Sequence, residues 1–311
     1  MSADRRQRGK RSLKAWMLMG AGLLGVPALA AEEPTRKVTD ETGRTIEVPA
    51  RIERIVSLAP NLTEIIYALG LEARLVGVTT LCDFPPQAQA KPKVGDVINP
   101  SLEKVLELKP NLVLGTTAGN RRETVEALER LGVPLYGIDP RSVRGILDSI
   151  RHVAELAGAP QAARDPTARL EARLAALEER RSPSRPRVLF IIWLEPLVTI
   201  GRDTFLNDVL DRAGAQSATV DLEPSWPRLS LEEVIERDPD YLVLPHSDSL
   251  AASLARLSPQ DPWRRLRAVE QNRIIWVDDA VLRPGPRIVD TIEELARALH
   301  PETTREVRAW K

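Results

Sequence analysis

The phrase "SLEKVLELKPNLVL", residues 101–114, returns as "SLEEVIERDPDYLVL" at residues 230–244. In each copy a serine suits an N-cap, and apolar residues follow at helical spacing: Leu102, Val105 and Leu106 in one, Leu231, Val234 and Ile235 in the other. Pro110 and Pro239 then stop the helix before a short apolar strand, "NLVLG" or "YLVLP". Other signals flank the phrase in the same order. "RIVSLAP" matches "RVLFIIW" as the strand opening a half, and "VPLYGID" matches "RIIWVDD" as a later one. Apolar strands alternating with helices predict mainly parallel sheets, so the chain reads as α/β and as two lobes repeating one architecture. With 311 residues, 43% hydrophobic and 28% charged, it is large enough for two cores.

The first thirty residues stand outside that scheme. Six Lys or Arg against one Asp precede "AWMLMGAGLLGVPALA", which ends on an A-x-A exit at Ala28 to Ala30. This is the grammar of an export signal cleaved near Ala30. A membrane anchor fits less well, because the apolar run falls short of the roughly 20 residues that span a bilayer. No cysteine ends the run to accept a lipid. Removing residues 1–30 leaves 38 basic against 43 acidic residues, a net charge of −5 with no basic run, which excludes nucleic acid as a partner. The single cysteine, Cys82, rules out an intramolecular disulfide even in an oxidising compartment. Core burial must therefore stabilise the fold.

The predicted organisation is a signal peptide at 1–30 and an N-terminal hairpin at 31–50 turned at Thr42 and Gly43. An α/β lobe follows at 51–140, then a helical linker at 141–185 and a second α/β lobe at 186–311. "SVRGILDSIRHVAELAG" and "TARLEARLAALEERR" in the linker are helical in period. About 20 residues of helix reach roughly 30 Å, enough for a strut between lobes. Pro166 falls inside or at the start of that strut and would kink it if interior.

Catalysis finds little support. His152, His246 and His300 are scattered, and no nucleophile elbow, dinucleotide fingerprint or phosphate loop is present, so an enzyme is not expected.

The stretch "RIVSLAPNLTEIIYALGLEARLVGVTTLCDFPPQAQAKPKVGDVINPSLEKVLELKPNLVLG", with "SWPRLSLEEVIE" and "RPGPRIV" later, resembles the vitamin B12 binding protein family. These are periplasmic receptors of ABC importers, in a superfamily that also takes siderophores and haem. The likeness runs from about Val38 to Pro301. It implies a class III periplasmic binding protein with two Rossmann-like lobes and a long rigid inter-lobe helix. It also implies a monomer in the periplasm that holds cobalamin or another corrinoid in the cleft, an iron siderophore or haem being the alternative. The partner implied is an ABC permease dimer in the inner membrane with its cytoplasmic ATPase. No cofactor or bound metal of the protein's own is implied.

Ligands of open α/β sheets sit beyond the carboxyl ends of strands, which points to the loops after "IVSL", "LVGVTT", "LVLG" and "LFIIW". Asn61 lies in the first loop. With Glu64 it fits a capping box, its cleft-facing position following from the strand end. Phe84, Trp193 and Trp226 are the aromatic candidates, Trp226 foremost because "EPSWPRL" leaves it in a loop without a regular element. By resemblance, Asp83 belongs to the rim of the first lobe and Asp279 and Arg283 to that of the second. Leu81, Val97, Thr116 and Val198 stand where the best-known receptors carry aromatic residues, so the cleft is expected to be shaped for a different corrinoid or another bulky chelate. Cys82 lies beside the predicted cleft, either as a buried inert thiol or with its thiolate approaching the chelate's metal. Glu103 and Glu232, third in each "SLE", sit near helix starts that favour a carboxylate. The resemblance gives them a second role, pairing with arginine clusters on the two permease subunits.

Overall fold

A computed structural model describes residues 34–256 and 260–301 of the chain. The predicted signal peptide lies outside the described residues. Strands β1 (Thr35–Thr39) and β2 (Thr45–Pro49) form the expected antiparallel hairpin, with Gly43 in its turn at φ +84°. The buried Asp40 carboxylate ties the hairpin down. It accepts from the amides of Thr42, Arg44 and Gly137, the Thr42 hydroxyl and the Arg44 guanidinium. Burial pushes the Asp40 carboxyl upward, but these donors outweigh it and hold the group below its usual range.

The first lobe contains β3 (Ile55–Ser57), α1 (Pro60–Ala68), β4 (Leu75–Val78), α2 (Leu102–Glu107), β5 (Leu112–Thr116), α3 (Arg122–Arg130) and β6 (Leu135–Ile138). Its four strands are parallel in the order β4-β3-β5-β6. Helices α4 (Val143–Leu156) and α5 (Arg164–Glu179) follow. The second lobe contains β7 (Arg187–Leu194), β8 (Leu197–Thr199), α6 (Phe205–Arg212), β9 (Gln216–Ser217), α7 (Leu231–Arg237), β10 (Tyr241–Pro245), α8 (Asp248–Ala255), α9 (Arg267–Glu270), β11 (Ile274–Val277) and α10 (Ile288–Leu299). Its sheet runs β11-β10-β7-β8, with β9 also on β7 and only β8 antiparallel. Among the described residues no helix is long and apolar enough to cross a membrane.

The repeated phrase builds the same unit twice. Ser101 Oγ accepts from Lys104 N at 3.3 Å at the start of α2, and Ser230 Oγ accepts from Glu233 N at 3.2 Å at the start of α7. In α7 the Glu233 carboxylate also accepts from Ser230 N, completing a capping box. Each copy then passes through a left-handed residue just before its proline, Lys109 at φ 46° and Asp238 at φ 38°.

Alternation along the strands sorts side chains into layers. In β5, Leu112 and Leu114 face one core and Val113 another; in β7, Val188 and Phe190 face the first while Leu189 and Ile191 face a separate buried core of the second lobe. The inner cluster is continuous. It holds Ile55, Leu112 and Leu114 of the first sheet, Ile146, Ile150, Leu170 and Leu174 of α4 and α5, and Val188, Phe190 and Val243 of the second sheet.

The bridge differs from a single long strut. It is a pair of helices, α4 and α5, joined by a tight 3-10 turn at Pro160–Ala163. Both reach across. Val143 N at the head of α4 donates to Asp208 on α6, and Arg173 of α5 pairs with Asp290 and Glu293 of α10 at 2.6 and 2.8 Å. Arg151 of α4 pairs with Glu171 of α5 at 2.6 Å. At 16 residues α5 spans about 24 Å. Pro166 falls in its first turn, where a missing N–H leaves no intrahelical bond unmade, so it imposes no kink.

Candidate functional site

Because both sheets are mainly parallel, the loops at their strand C-termini gather on one side, between the lobes. The edge loops meet in two different ways. After β4 and β11 they touch, and after β6 and β8 they stand apart around a cavity.

The touching end is held by charge. Arg283 Nη1 lies 2.6 Å from Asp83 Oδ1 and its Nη2 lies 3.2 Å from Asp279 Oδ2. Arg287 grips the buried Glu64 with two parallel bonds, Nε to Oε2 at 3.0 Å and Nη2 to Oε1 at 2.7 Å. The Arg287 guanidinium also sits over the Phe84 ring, 4.2 Å from its centroid. The hydrogen bond from Arg283, partly offset by burial, holds the Asp83 carboxyl below its usual range. Asp83, Phe84 and Glu64 belong to the first lobe, Arg283 and Arg287 to the second, so these contacts form a clasp between lobes.

The open end is a cavity of about 450 Å³. Its first-lobe wall is Thr117, Ala118 and Asp139–Arg141; its second-lobe wall is Asp203–Phe205, Pro224–Trp226 and Pro284. Arg141 holds Asp139 Oδ2 through Nε at 2.9 Å and Nη2 at 2.8 Å, and the Thr117 hydroxyl donates to the same carboxylate. Large apolar side chains stand exposed at the strand ends and on the loops that follow them, among them Leu81, Phe84, Ile98, Trp193 and Trp226. Trp226 lines the cavity. The indole N–H of Trp193 donates to Glu195 O at 2.9 Å, which leaves its ring face exposed at the end of β7.

Several predicted site residues are placed otherwise than expected. Asn61 and Glu64 form no capping box: α1 begins at Pro60, Ala59 is the N-cap, and no side chain caps it. Asn61 is buried and donates through Nδ2 to Pro284 O at 3.3 Å, while Glu64 answers Arg287. Both serve lobe contact. Cys82 is fully buried with its sulfur 3.1 Å from the hydroxyls of Thr63 and Thr79, so the thiol faces the core and is closed to a ligand in the cleft. Thr116 is buried, and its hydroxyl accepts from Ala118 N within the turn. Val97 packs under that turn, so close that a Cβ on Gly119 would come within 2.6 Å of it. Asp279 and Arg283 are engaged in the clasp with Asp83. Val198 lies in β8 opposite Trp193. Glu103 and Glu232 both lie exposed in the first turn of their helices.

Sequence reasoning missed Arg287, Asp139, Arg141 and Asp203. Arg287 stood in the quoted "RPGPRIV" and carried a signal; the others belong to loops without a motif. His246, exposed just after β10, stacks on Trp276 with ring centroids 5.7 Å apart and planes inclined by 18°.

The family model described as periplasmic binding protein matches residues 55–281. An uncharacterised ABC transporter substrate-binding lipoprotein of Bacillus subtilis is 31% identical over 278 residues, covering 86% of this chain and 87% of its own. The vitamin B12-binding protein of Vibrio campbellii is 29% identical over 263 residues, covering 82% and 92%. Two solved structures share the fold closely. The periplasmic haem-binding protein of Roseiflexus in its apo form aligns at a TM-score of 0.72 with 32% identity, over 81% of this chain and 99% of that one. The periplasmic vitamin B12-binding protein of Vibrio cholerae aligns at 0.70 with 27% identity, over 84% and 99%.

Proposed function

We propose, on the premise that this chain belongs to the periplasmic binding protein family and is an ABC transporter substrate-binding protein, that its cargo is a corrinoid, cobalamin or a close relative. The receptor is exported to the periplasm, takes the corrinoid between its lobes, and delivers it to a permease dimer in the inner membrane served by a cytoplasmic ATPase. The balance of charge around the cleft carries this reading. Among the described residues the cavity lining carries two carboxylates, Asp139 and Asp203, against one guanidinium, Arg141, a formal excess of one negative charge, and the only cation there is already held by Asp139. An acidic siderophore or the propionates of haem would meet repulsion there, while a corrin rimmed with amides would meet acceptors and the exposed faces of Trp226 and Trp193. The cavity lining carries no imidazole, phenol or thiol to take an axial place on iron. A corrinoid brings its own axial ligands.

Haem is the second reading, favoured by the likeness to the Roseiflexus protein and by His246, exposed at the cleft end of β10. The two are separated by incubating the mature protein with cobalamin, cobinamide, haem and ferric siderophores. Retained colour and a raised melting temperature mark the cargo, since a ligand that binds only the folded state stabilises it. Colour retained with haem alone would replace the corrinoid reading.

Glu103 and Glu232 supply the docking points in this proposal. Their duplication in matched helix turns suits a permease with two-fold symmetry, each carboxylate pairing with basic residues on one subunit. The double variant Glu103→Ala with Glu232→Ala is expected to bind cargo unchanged yet fail to stimulate the permease's ATPase. Normal transport by that variant would leave the repeat a purely structural device.

A further inference from the structure

Asp203 stands on the second-lobe wall of the cavity with its backbone at φ +65°, a conformation that side chains other than glycine, asparagine and aspartate seldom adopt. Its carboxylate is exposed, and among the described residues no hydrogen bond or ion pair is made by it. The guanidinium on the opposite wall, Arg141, is held by Asp139 instead. Asp203 is also fixed in place. Gly201 N donates to Ser225 O at 2.8 Å and Arg202 N to Leu222 O at 2.6 Å, and a Cβ on Gly201 would collide with Pro224 O. The loop bearing Asp203 and the loop bearing Trp226 are thus one rigid piece, with an aromatic face and a free anion set side by side.

We propose that this pairing reads the chemistry of the ligand's periphery: Trp226 takes the apolar face of a macrocycle, and Asp203 accepts N–H groups from its edge while repelling carboxylates. The inference rests on the reading that the cleft holds a macrocyclic metal chelate, and it names the feature by which such chelates are told apart. An anion with no partner of its own costs little to expose in the empty cleft. It gains hydrogen bonds from an amide rim and is forced against a like charge by an acid rim.

The test uses two pairs of probes that share a macrocycle and differ only at the edge. One pair is cobinamide and cobyrinic acid; the other is haem and haem with its propionates converted to amides. Affinities are measured by absorbance titration for the mature protein and for Asp203→Asn, which keeps a residue tolerant of positive φ and removes the charge. The wild type should prefer the amide member of a pair, and Asp203→Asn should shrink that preference about tenfold, chiefly by binding the acid member more tightly. An unchanged ratio, or a wild type that prefers the acid member, overturns the role of Asp203. Binding of the haem pair alone overturns the corrinoid reading and still reports on Asp203 through its ratio. Binding of neither pair overturns both.

Discussion

The clasp between Glu64 and Arg287 makes a sharp prediction about stability. The Glu64 side chain is 2% exposed and Arg287 21%, and they are joined by two bonds of 2.7 and 3.0 Å. Replacing Arg287 by Met strips the partner from a buried carboxylate, a change that typically costs about 3–5 kcal/mol. Two features act on that figure. Arg283 Nη1 remains 3.7 Å from Glu64 and supplies part of the lost attraction, whereas the loss of the guanidinium from the Phe84 ring adds about 1 kcal/mol. We therefore expect Arg287→Met to lose about 2–4 kcal/mol. Glu64→Met leaves a guanidinium that can turn toward Asp278, 3.7 Å away, and should lose less. The double variant Glu64→Met with Arg287→Met should recover much of the loss, because two apolar side chains replace two charges. Urea unfolding of the four proteins closes the cycle, with a coupling of about 2 kcal/mol expected for a desolvated pair. Single losses below about 1 kcal/mol that simply add would show that the pair is open in solution and that the lobes are held by other contacts.

Three further outcomes follow from the geometry. Asp40→Asn should cost about 1–3 kcal/mol at neutral pH by disturbing the donors gathered on that carboxylate. Because the folded Asp40 is held below its unfolded value of 3.8, its contribution is fully present above that pH and fades as pH falls through the depressed value. Unfolding midpoints of wild type and Asp40→Asn should accordingly converge only in acid, and convergence already at pH 6 would contradict the assignment. Trp226→Ala should weaken cargo retention at least tenfold while leaving the melting temperature of the empty protein unchanged, since the ring is exposed on the cavity wall. X-ray scattering of free and loaded protein should differ only slightly, because α4 and α5 tie both lobes together; a change as large as that of hinge-loop receptors would refute the rigid bridge.

The fold was legible because its signals are local. Ser101 and Ser230 cap the helices they were expected to cap, and the six quoted strand segments all form strands of the two sheets. The clasp was not legible, because it joins residues 223 positions apart whose neighbours in sequence say nothing of one another. Asn61 and Glu64 had the spacing of a capping box, but Pro60 is at home in the first turn, so the helix starts two residues earlier and the glutamate turns to another lobe. Cys82 sits in a loop near the cleft, yet one residue's rotation within a loop decides between core and surface, and no periodicity records it. Trp226 could be singled out because a tryptophan flanked by prolines in a polar loop has no local core to enter. Asp203 left no such trace.

The continuous inner cluster has a consequence for what the repetition means. A chain that states one architecture twice invites dissection into two independent modules, but here each half lends its inner face to a common interior through α4 and α5. Cut after residue 140, the first sheet would expose Ile55, Leu112 and Leu114 to water, and the second would expose Val188, Phe190 and Val243. Symmetry of sequence has been kept while autonomy has been surrendered. Melting should be a single event, and any variant that loosens the second lobe will be felt by the first.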